Sequence, residues 1–459
     1  MTYQEENNKL LNSFLDRTFL KTWENQEEGL ENFRTLELFL NTKCNLRCTY
    51  CYLANFGNEL YPPKLQDDKK VLANLQILLD WLLNRKLAPR LELFSGEPFA
   101  QNVSLQALSM ILDKFESADN KPESIVIPTN YTFILNKNLT EEIECLLERS
   151  RKLGMPMALS ASVDGRYSEV NRPFRSGKSD PRDDGYYDGV FAFNKKWGFS
   201  FHPMIYSDRI DSWQNNFLWF QEMLKKHDIP WSNIYLLEVR NKEWSRDSIF
   251  EFEEFIRFLI RWTFLVPCRG NAQEFVNFLF KGGFNILQSP LTTIGRGIGC
   301  SIQSTIHVRL GDLAIVPCHR TSYEPFISGH FIVDDGSITG IRADNPELLI
   351  AITSMQSRSQ PMCESCLIKH LCSGGCLGSQ YEVTGDLFSP IPSVCRLEHA
   401  KVRAMITAYK ELRVFDLICD RVNPEKRDAL NMLEEMTNGT GRPEKVPGNS
   451  RQNQGDTEI

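Results

Sequence analysis

Three thiols, Cys44, Cys48 and Cys51, fall within the stretch CNLRCTYCY (44–52), separated by three and then two residues. A closed structural zinc site takes four ligands, usually as two separated pairs, and no fourth Cys or His lies close by in the sequence. A cubane iron–sulfur cluster takes one thiolate per iron. Three thiols therefore leave one iron open to an outside ligand, and an open iron is a place for chemistry. Two plainer readings stand beside this one: buried structural cysteines, or a zinc site completed from afar.

A second constellation lies near the other end. Residues 363–376 read CESCLIKHLCSGGC, placing Cys363, Cys366, Cys372 and Cys376 two, five and three residues apart. Cys300 and Cys318 precede them and Cys395 follows, so seven of the 13 cysteines crowd into fewer than 100 residues. That density exceeds any packing need, although the four-cysteine run taken alone also suits a zinc ribbon. Cys145 and Cys419 sit in helical stretches and read as core.

The elements that must hold the first cluster alternate. LELFL (36–40) reads as a strand, VLANLQILLDWLL (71–83) as an amphipathic helix with Leu72, Leu75, Leu79 and Leu82 on one stripe, and LELFSGEP (91–98) as a strand running into a turn. A helix (104–116), a strand (124–130), a Thr-capped helix (140–154), a strand (157–165), a short helix (188–198), a strand (199–207), a helix (211–228) and a sixth strand (233–239) follow. Such alternation implies βαβ units and a parallel sheet, with chemistry at the C-terminal ends of the strands. The motifs obey that rule. The cysteines follow strand one, Ser95-Gly96-Glu97-Pro98 ends strand two, Thr129-Asn130 ends strand three, and Ser162 with Asp164 ends strand four. Each of these turns is equally readable as turn chemistry or helix capping. Residues 1–34 read as a helical segment, 35–245 as the βα domain, 246–294 as a helical bridge, and 295–400 as a Gly-rich, strand-poor, Cys-rich region. Residues 401–437 form a C-terminal helical segment and 438–459 a disordered tail.

The bulk properties narrow the class. Hydrophobic residues make up 42% and charged residues 24% of the 459, an ordinary globular mixture. A net charge of −7 without a basic stripe argues against nucleic acid. The N-terminus lacks a secretory pattern and no apolar run spans a bilayer, so a cytoplasmic protein without a membrane partner is expected. Thiols in that reducing compartment point to metal or redox chemistry rather than disulfides.

Cys-x3-Cys-x2-Cys, with Tyr50 just before the last cysteine, resembles the radical S-adenosylmethionine (SAM) family. In that family the methionyl group of SAM chelates the open iron, and reductive cleavage gives a 5′-deoxyadenosyl radical that takes hydrogen from a substrate. The resemblance implies a partial (β/α)6 TIM-like barrel. It also makes SGEP a counterpart of the family's GGEP turn, with Ser95 in place of the first Gly and Glu97 facing the methionyl ammonium. Thr129, Asn130, Ser162 and Asp164 fall at ribose- and carboxylate-binding positions, and Arg172 matches an arginine that often follows DG.

The order of the later cysteines resembles the SPASM domain, which carries two auxiliary [4Fe–4S] clusters in peptide-modifying relatives. The resemblance gives Cys300, Cys318 and Cys376 to the nearer cluster, and Cys363, Cys366, Cys372 and Cys395 to the outer one. Six residues separate Gly311 from Cys318 where the family usually leaves four. Eight ligands would close both cubanes and seven are present, so either Cys268 completes the nearer cluster or one iron stays open. The sulfatase-maturating subgroup has an acid after the second auxiliary cysteine; here His319 stands there, as a base or as a hydrogen-bonding neighbour of the cluster.

The resemblance thus implies hydrogen abstraction from a precursor peptide or protein, as in ribosomal-peptide maturation by crosslinking, thioether formation or epimerisation. It further implies SAM, three [4Fe–4S] clusters and a reductant such as flavodoxin or ferredoxin. The residues before strand one are too few for a winged-helix leader-binding domain, so a leader would dock on this chain or on a separate protein. Sulfatase maturation, a small-molecule radical SAM reaction, and a non-catalytic electron carrier or zinc-stabilised binding module are the alternatives.

Overall fold

The structure, a computed structural model, describes residues 35–177, 179–292, 305–345, 348, 361–372 and 374–439. The expected leader (1–34), Cys300, and residues 440–459 of the expected tail lie outside them. Four parallel strands open the chain: β1 (Thr35–Phe39), β2 (Arg90–Phe94), β3 (Ile125–Thr129) and β4 (Met157–Ala161). Alternation along β1 sends Leu36, Leu38 and Leu40 outward against Val71, Leu75 and Leu78 of a covering helix. Phe39 packs instead in a separate cluster with Leu53, Leu60 and Tyr61. Each buried aliphatic contributes roughly 1.5–3 kcal/mol, which is enough to fix register, because a one-residue slip would exchange the two faces.

The covering helices are α1 (Tyr52–Leu60), α2 (Asp68–Asn84), α3 (Asn102–Phe115), α4 (Lys137–Lys152), α5 (Asp184–Trp197) and α6 (Trp213–Lys226). The expected Thr cap of α4 gives way to Asn136, whose side chain accepts from the Leu139 N–H. Thr140 lies inside the helix and donates to the Phe133 and Asn136 carbonyls. Asp183 likewise starts α5 four residues before the predicted position.

Strands five and six are shorter than predicted. Single parallel bridges join Ala161 to Phe201 and Phe201 to Ile234, and β5 (Met204–Ile205) pairs with β6 (Leu237–Glu238) over two residues. Pro203 interrupts the fifth strand by removing a donor. The Met204 N–H goes to Asp164 Oδ1 at 3.0 Å instead of to a neighbouring strand.

Three helices follow: α7 (Arg246–Leu265), α8 (Ala272–Lys281) and α9 (Asn285–Thr292). The region expected to be strand-poor is not. β7 (Thr305–Arg309) pairs in parallel with the free edge of β1. β8 (Ala314–Val316), β9 (Gly329–Asp334) and β10 (Ser337–Ala343) then extend the sheet antiparallel, giving the order β10-β9-β8-β7-β1-β2-β3-β4. All five residues of β7 are buried: its polar–apolar alternation puts Ile306 and Val308 in the core, and the opposite face, with His307 and Arg309, is buried as well. Arg309 is satisfied by the Leu60 and Ser322 carbonyls and by Asp312 at 2.6 Å. α10 (Leu377–Thr384), α11 (Pro392–Glu411), α12 (Phe415–Cys419) and α13 (Pro424–Gly439) finish the described chain. α11 begins before residue 401 and packs against α7. None of the described helices is long and apolar enough to cross a membrane.

Candidate metal and cofactor centre

The Cys44–Cys51 loop leaves β1 and is clamped by backbone from far along the chain. The Arg47 and Thr49 N–H groups donate to the Pro173 and Asn171 carbonyls, both at 2.8 Å, and Arg175 N–H donates to Asn45 O at 2.9 Å. Cys51 caps α1. On the other side the SGEP turn presses on the loop: Gly96 N–H donates to Asn41 O at 3.1 Å and Glu97 N–H to Lys43 O at 2.9 Å. A Cβ at position 96 would stand 2.1 Å from Lys43 O, so only glycine permits this approach. Ser95 Oγ and Asn41 Nδ2, both buried beside the turn, have no hydrogen-bond partner among the described residues. Orphaned polar atoms of this kind mark room for a polar ligand.

Glu97 turns inward. Its carboxylate accepts from Thr129 Oγ1 (2.7 Å), Asn130 N (2.6 Å) and Phe99 N (3.1 Å), and the residue is 2% exposed. Burial raises its pKa to about 6 against those hydrogen bonds. These bonds lock β2 to β3. Asn130 reaches the cysteine loop, donating to Asn45 Oδ1 at 2.8 Å, with its Nδ2 4.0 Å from Cys44 Sγ. Asn45 in turn donates to Thr132 Oγ1 at 2.8 Å.

At the end of β4, Ser162 gives its carbonyl to Arg172, and Asp164 accepts from Tyr50 Oη. Arg172 lies 3.7 Å from Asp164 and 3.6 Å from Glu169, which also pairs with the buried Arg182. Burial pushes Asp164 up to about 6 although Arg172 pulls the other way. Burial also pushes the Cys44 thiol up to about 12, with the Glu97 charge adding to it. Cys48 rises to about 11, again through burial, with Arg172 opposing. Tyr50, Arg172 and the three cysteines thus form one mouth. Asn41, Asn45, Glu169 and Arg182 belong to it too; Asn45 lies inside the motif, whereas the others carry no spacing signal.

The later cysteines also converge. Cys363, Cys366, Cys372, Cys376 and Cys395 line a cavity of about 360 Å³ with Arg240, Glu398 and His399. Burial pushes Cys372 up to about 12, and Cys363 and Cys395 are raised by burial and by neighbouring thiols. His399 Nε2 lies 3.5 Å from Cys366 Sγ, and Arg240 donates to Gly374 O at 2.8 Å. Cys318 packs near Leu377, the residue after Cys376. Cys268 belongs to the large barrel-and-bridge core instead.

Two buried residues, Glu37 and His307, and the half-buried His319 form a trio that the sequence only partly disclosed. His319, stacked on Phe94 (centroids 4.1 Å apart) and Tyr52 (5.7 Å), places Nδ1 3.0 and 2.9 Å from the two Glu37 oxygens. His307, facing Glu37 across the β1–β7 register, places Nδ1 2.9 Å from Oε1. Burial would raise the Glu37 pKa; the two imidazoles override it and hold the carboxyl far below its usual range.

No protein-family model matches the chain. An uncharacterised protein of Methanocaldococcus jannaschii, MJ0907, is 28% identical over 151 residues, which is 32% of this chain and 45% of that protein's length. Among solved structures, anSMEcpe with bound AdoMet superposes with a TM-score of 0.55 at 14% identity, covering 86% of this chain and 98% of that one. anSMEcpe with AdoMet and the Cp18Cys peptide gives 0.54 at 13% identity, over 84% and 99%. At such identities the likeness is one of fold.

Proposed function

We propose that this protein is a radical SAM enzyme that modifies a peptide or protein. The observation that carries the reading is the barrel mouth, where three thiols on one clamped loop adjoin two orphaned buried polar atoms, Ser95 Oγ and Asn41 Nδ2. Those features fit a three-thiolate [4Fe–4S] cluster and SAM: Cys44, Cys48 and Cys51 would hold the cluster, and the Ser95–Pro98 turn, Asn130, Ser162 and Arg172 would border SAM. When bound, that pair supplies a 5′-deoxyadenosyl radical for hydrogen abstraction. Glu97 fixes the turn by bridging β2 and β3, Arg172 places a positive charge beside Cys48, and Tyr50 with Asp164 closes the wall below. Cys363, Cys366, Cys372 and Cys395 would hold an outer auxiliary cluster, and Cys318 and Cys376, with Cys300, a nearer one.

A peptide substrate is supported by the Cp18Cys peptide carried by a neighbour of the same fold. The reductant is a flavodoxin or ferredoxin, any leader is read by this chain or a separate protein, and the setting is cytoplasmic. Anaerobic reconstitution followed by dithionite and SAM tests the reading, with 5′-deoxyadenosine measured by chromatography. Release is expected from the wild type, with background only from Cys48→Ala. A protein that carries its full iron and never cleaves SAM overturns it.

A further inference from the structure

We propose that Glu37, His307 and His319 form a binding site for one divalent first-row transition ion, separate from every cysteine. The three residues come from β1, β7 and the turn after β8, distant in sequence, yet one ligand atom from each lies within 4.8 Å of the other two. Two imidazole nitrogens and a carboxylate oxygen make a borderline donor set, suited to zinc or ferrous iron and poor for magnesium or calcium. The donor atoms stand 2.9–3.0 Å apart around Glu37, close to the spacing of neighbouring ligands on one ion at roughly 2.0–2.2 Å.

Two further observations point to a cation. His307 is 2% exposed, and among the described residues neither ring nitrogen has a well-aligned hydrogen bond, although Nδ1 stands 2.9 Å from Glu37 Oε1. A buried imidazole without a hydrogen bond is costly, and an ion among the three donors gives Nδ1 its partner. Glu92 faces Glu37 across the β1–β2 register, so two carboxylates share this part of the barrel interior. Burial pushes Glu92 up and the Glu37 charge adds to it. A cation relieves that repulsion. The site gives His319 a role other than base: with Nδ1 on the ion, its Nε2 carries the proton.

The ion would tie the first barrel strand to β7 and to the turn that begins at Cys318. The site does not depend on SAM chemistry and can fail or stand apart from it. The test uses the reconstituted full chain under anaerobic conditions, equilibrated with zinc chloride, desalted and analysed for zinc and iron, with zinc-edge X-ray absorption on the same sample. The expected result is about one zinc per chain, a shell of nitrogen and oxygen with imidazole scattering, and retention falling to background in His307→Ala at unchanged iron content. Zinc that does not survive desalting overturns the proposal. So does sulfur in the zinc shell, which would place the ion at cluster thiolates, or full retention by His307→Ala. Should that variant not fold, the wild-type absorption spectrum alone decides.

Discussion

The two cysteine regions are held in different ways. The loop carrying Cys44, Cys48 and Cys51 is bonded to backbone some 50 to 130 residues away, at Gly96, Glu97, Asn171 and Pro173. Among the described residues, the segment carrying Cys363, Cys366 and Cys372 makes local backbone bonds: Cys366 N to Cys363 O, Lys369 N to Cys366 O, and Cys372 N to Ile368 O. Arg240, bonded to Gly374 O and to Glu398, ties it to the barrel. The first region is shaped by the fold before any metal arrives, whereas the second consists of local turns that a cluster would draw together.

The sharpest way to break the first region without touching a thiol is Gly96→Ala. The new methyl would meet the Lys43 and Thr42 backbone at 2.1 and 2.6 Å, and neither can retreat without moving Cys44. Overpacking against backbone should cost about 3 kcal/mol or more. SAM cleavage should fall to background while iron bound by the later cysteines persists, as followed by iron analysis and electron paramagnetic resonance. Near-normal cleavage by this variant would mean that the turn is not what shapes the loop.

Removing the clusters should separate the regions next. In protein stripped by chelator and oxidant, amides of residues 361–372 should exchange about a hundredfold faster or more, because local turns alone give little protection. Those of β1–β4 should change little. Equal loss of protection in both regions would erase the distinction; hydrogen-exchange mass spectrometry reads it directly.

Much of the first region was legible because its chemistry lies on a regular scaffold. Leu36–Leu40 alternates, the cysteines follow it, and the strand ends bring Gly96, Asn130 and Asp164 to the same mouth. The inward turn of Glu97 was not legible, since its three donors come from β3 and its own turn and are set by tertiary contact. β7 was hidden for another reason. Thr305, His307 and Arg309 alternate with Ile306 and Val308 over only five residues, and the polar face, which such a short period would assign to solvent, is buried. With β7 went the partnership of His307 and Glu37, although His319 had been singled out from its place after Cys318.

Acid–base behaviour sharpens the comparison further. Burial pushes Cys44 to about 12 and Cys48 to about 11, so in the metal-free fold both are neutral thiols at pH 7. Ligation needs thiolates, and a raised thiol pKa makes each proton harder to remove. Cluster loading at the first site should therefore rise with pH between 7 and 9, by up to about tenfold per unit for each proton released. A variant retaining only Cys44, Cys48 and Cys51, with the later cysteines replaced by serine, isolates that site. Loading that is flat or falls with pH would mean that the thiols ionise before metal binds.

The smallest effect concerns how finely the first loop is clamped. Asn45 accepts from Asn130 Nδ2 and donates to Thr132 Oγ1, both at 2.8 Å, while its own carbonyl accepts from Arg175 N–H. Asn45→Ala keeps the backbone bond and deletes the two side-chain bonds, leaving Asn130 to find another acceptor near Cys44. The cost should be about 1–2 kcal/mol, a fall in Tm of a few degrees, with the first cluster still assembled. Asn45→Asp, which keeps an acceptor for Asn130 but loses the donor to Thr132, should fall between wild type and alanine. Loss of the first cluster from the alanine variant would show that the side-chain bridge, rather than the backbone bonds, sets the shape of the loop.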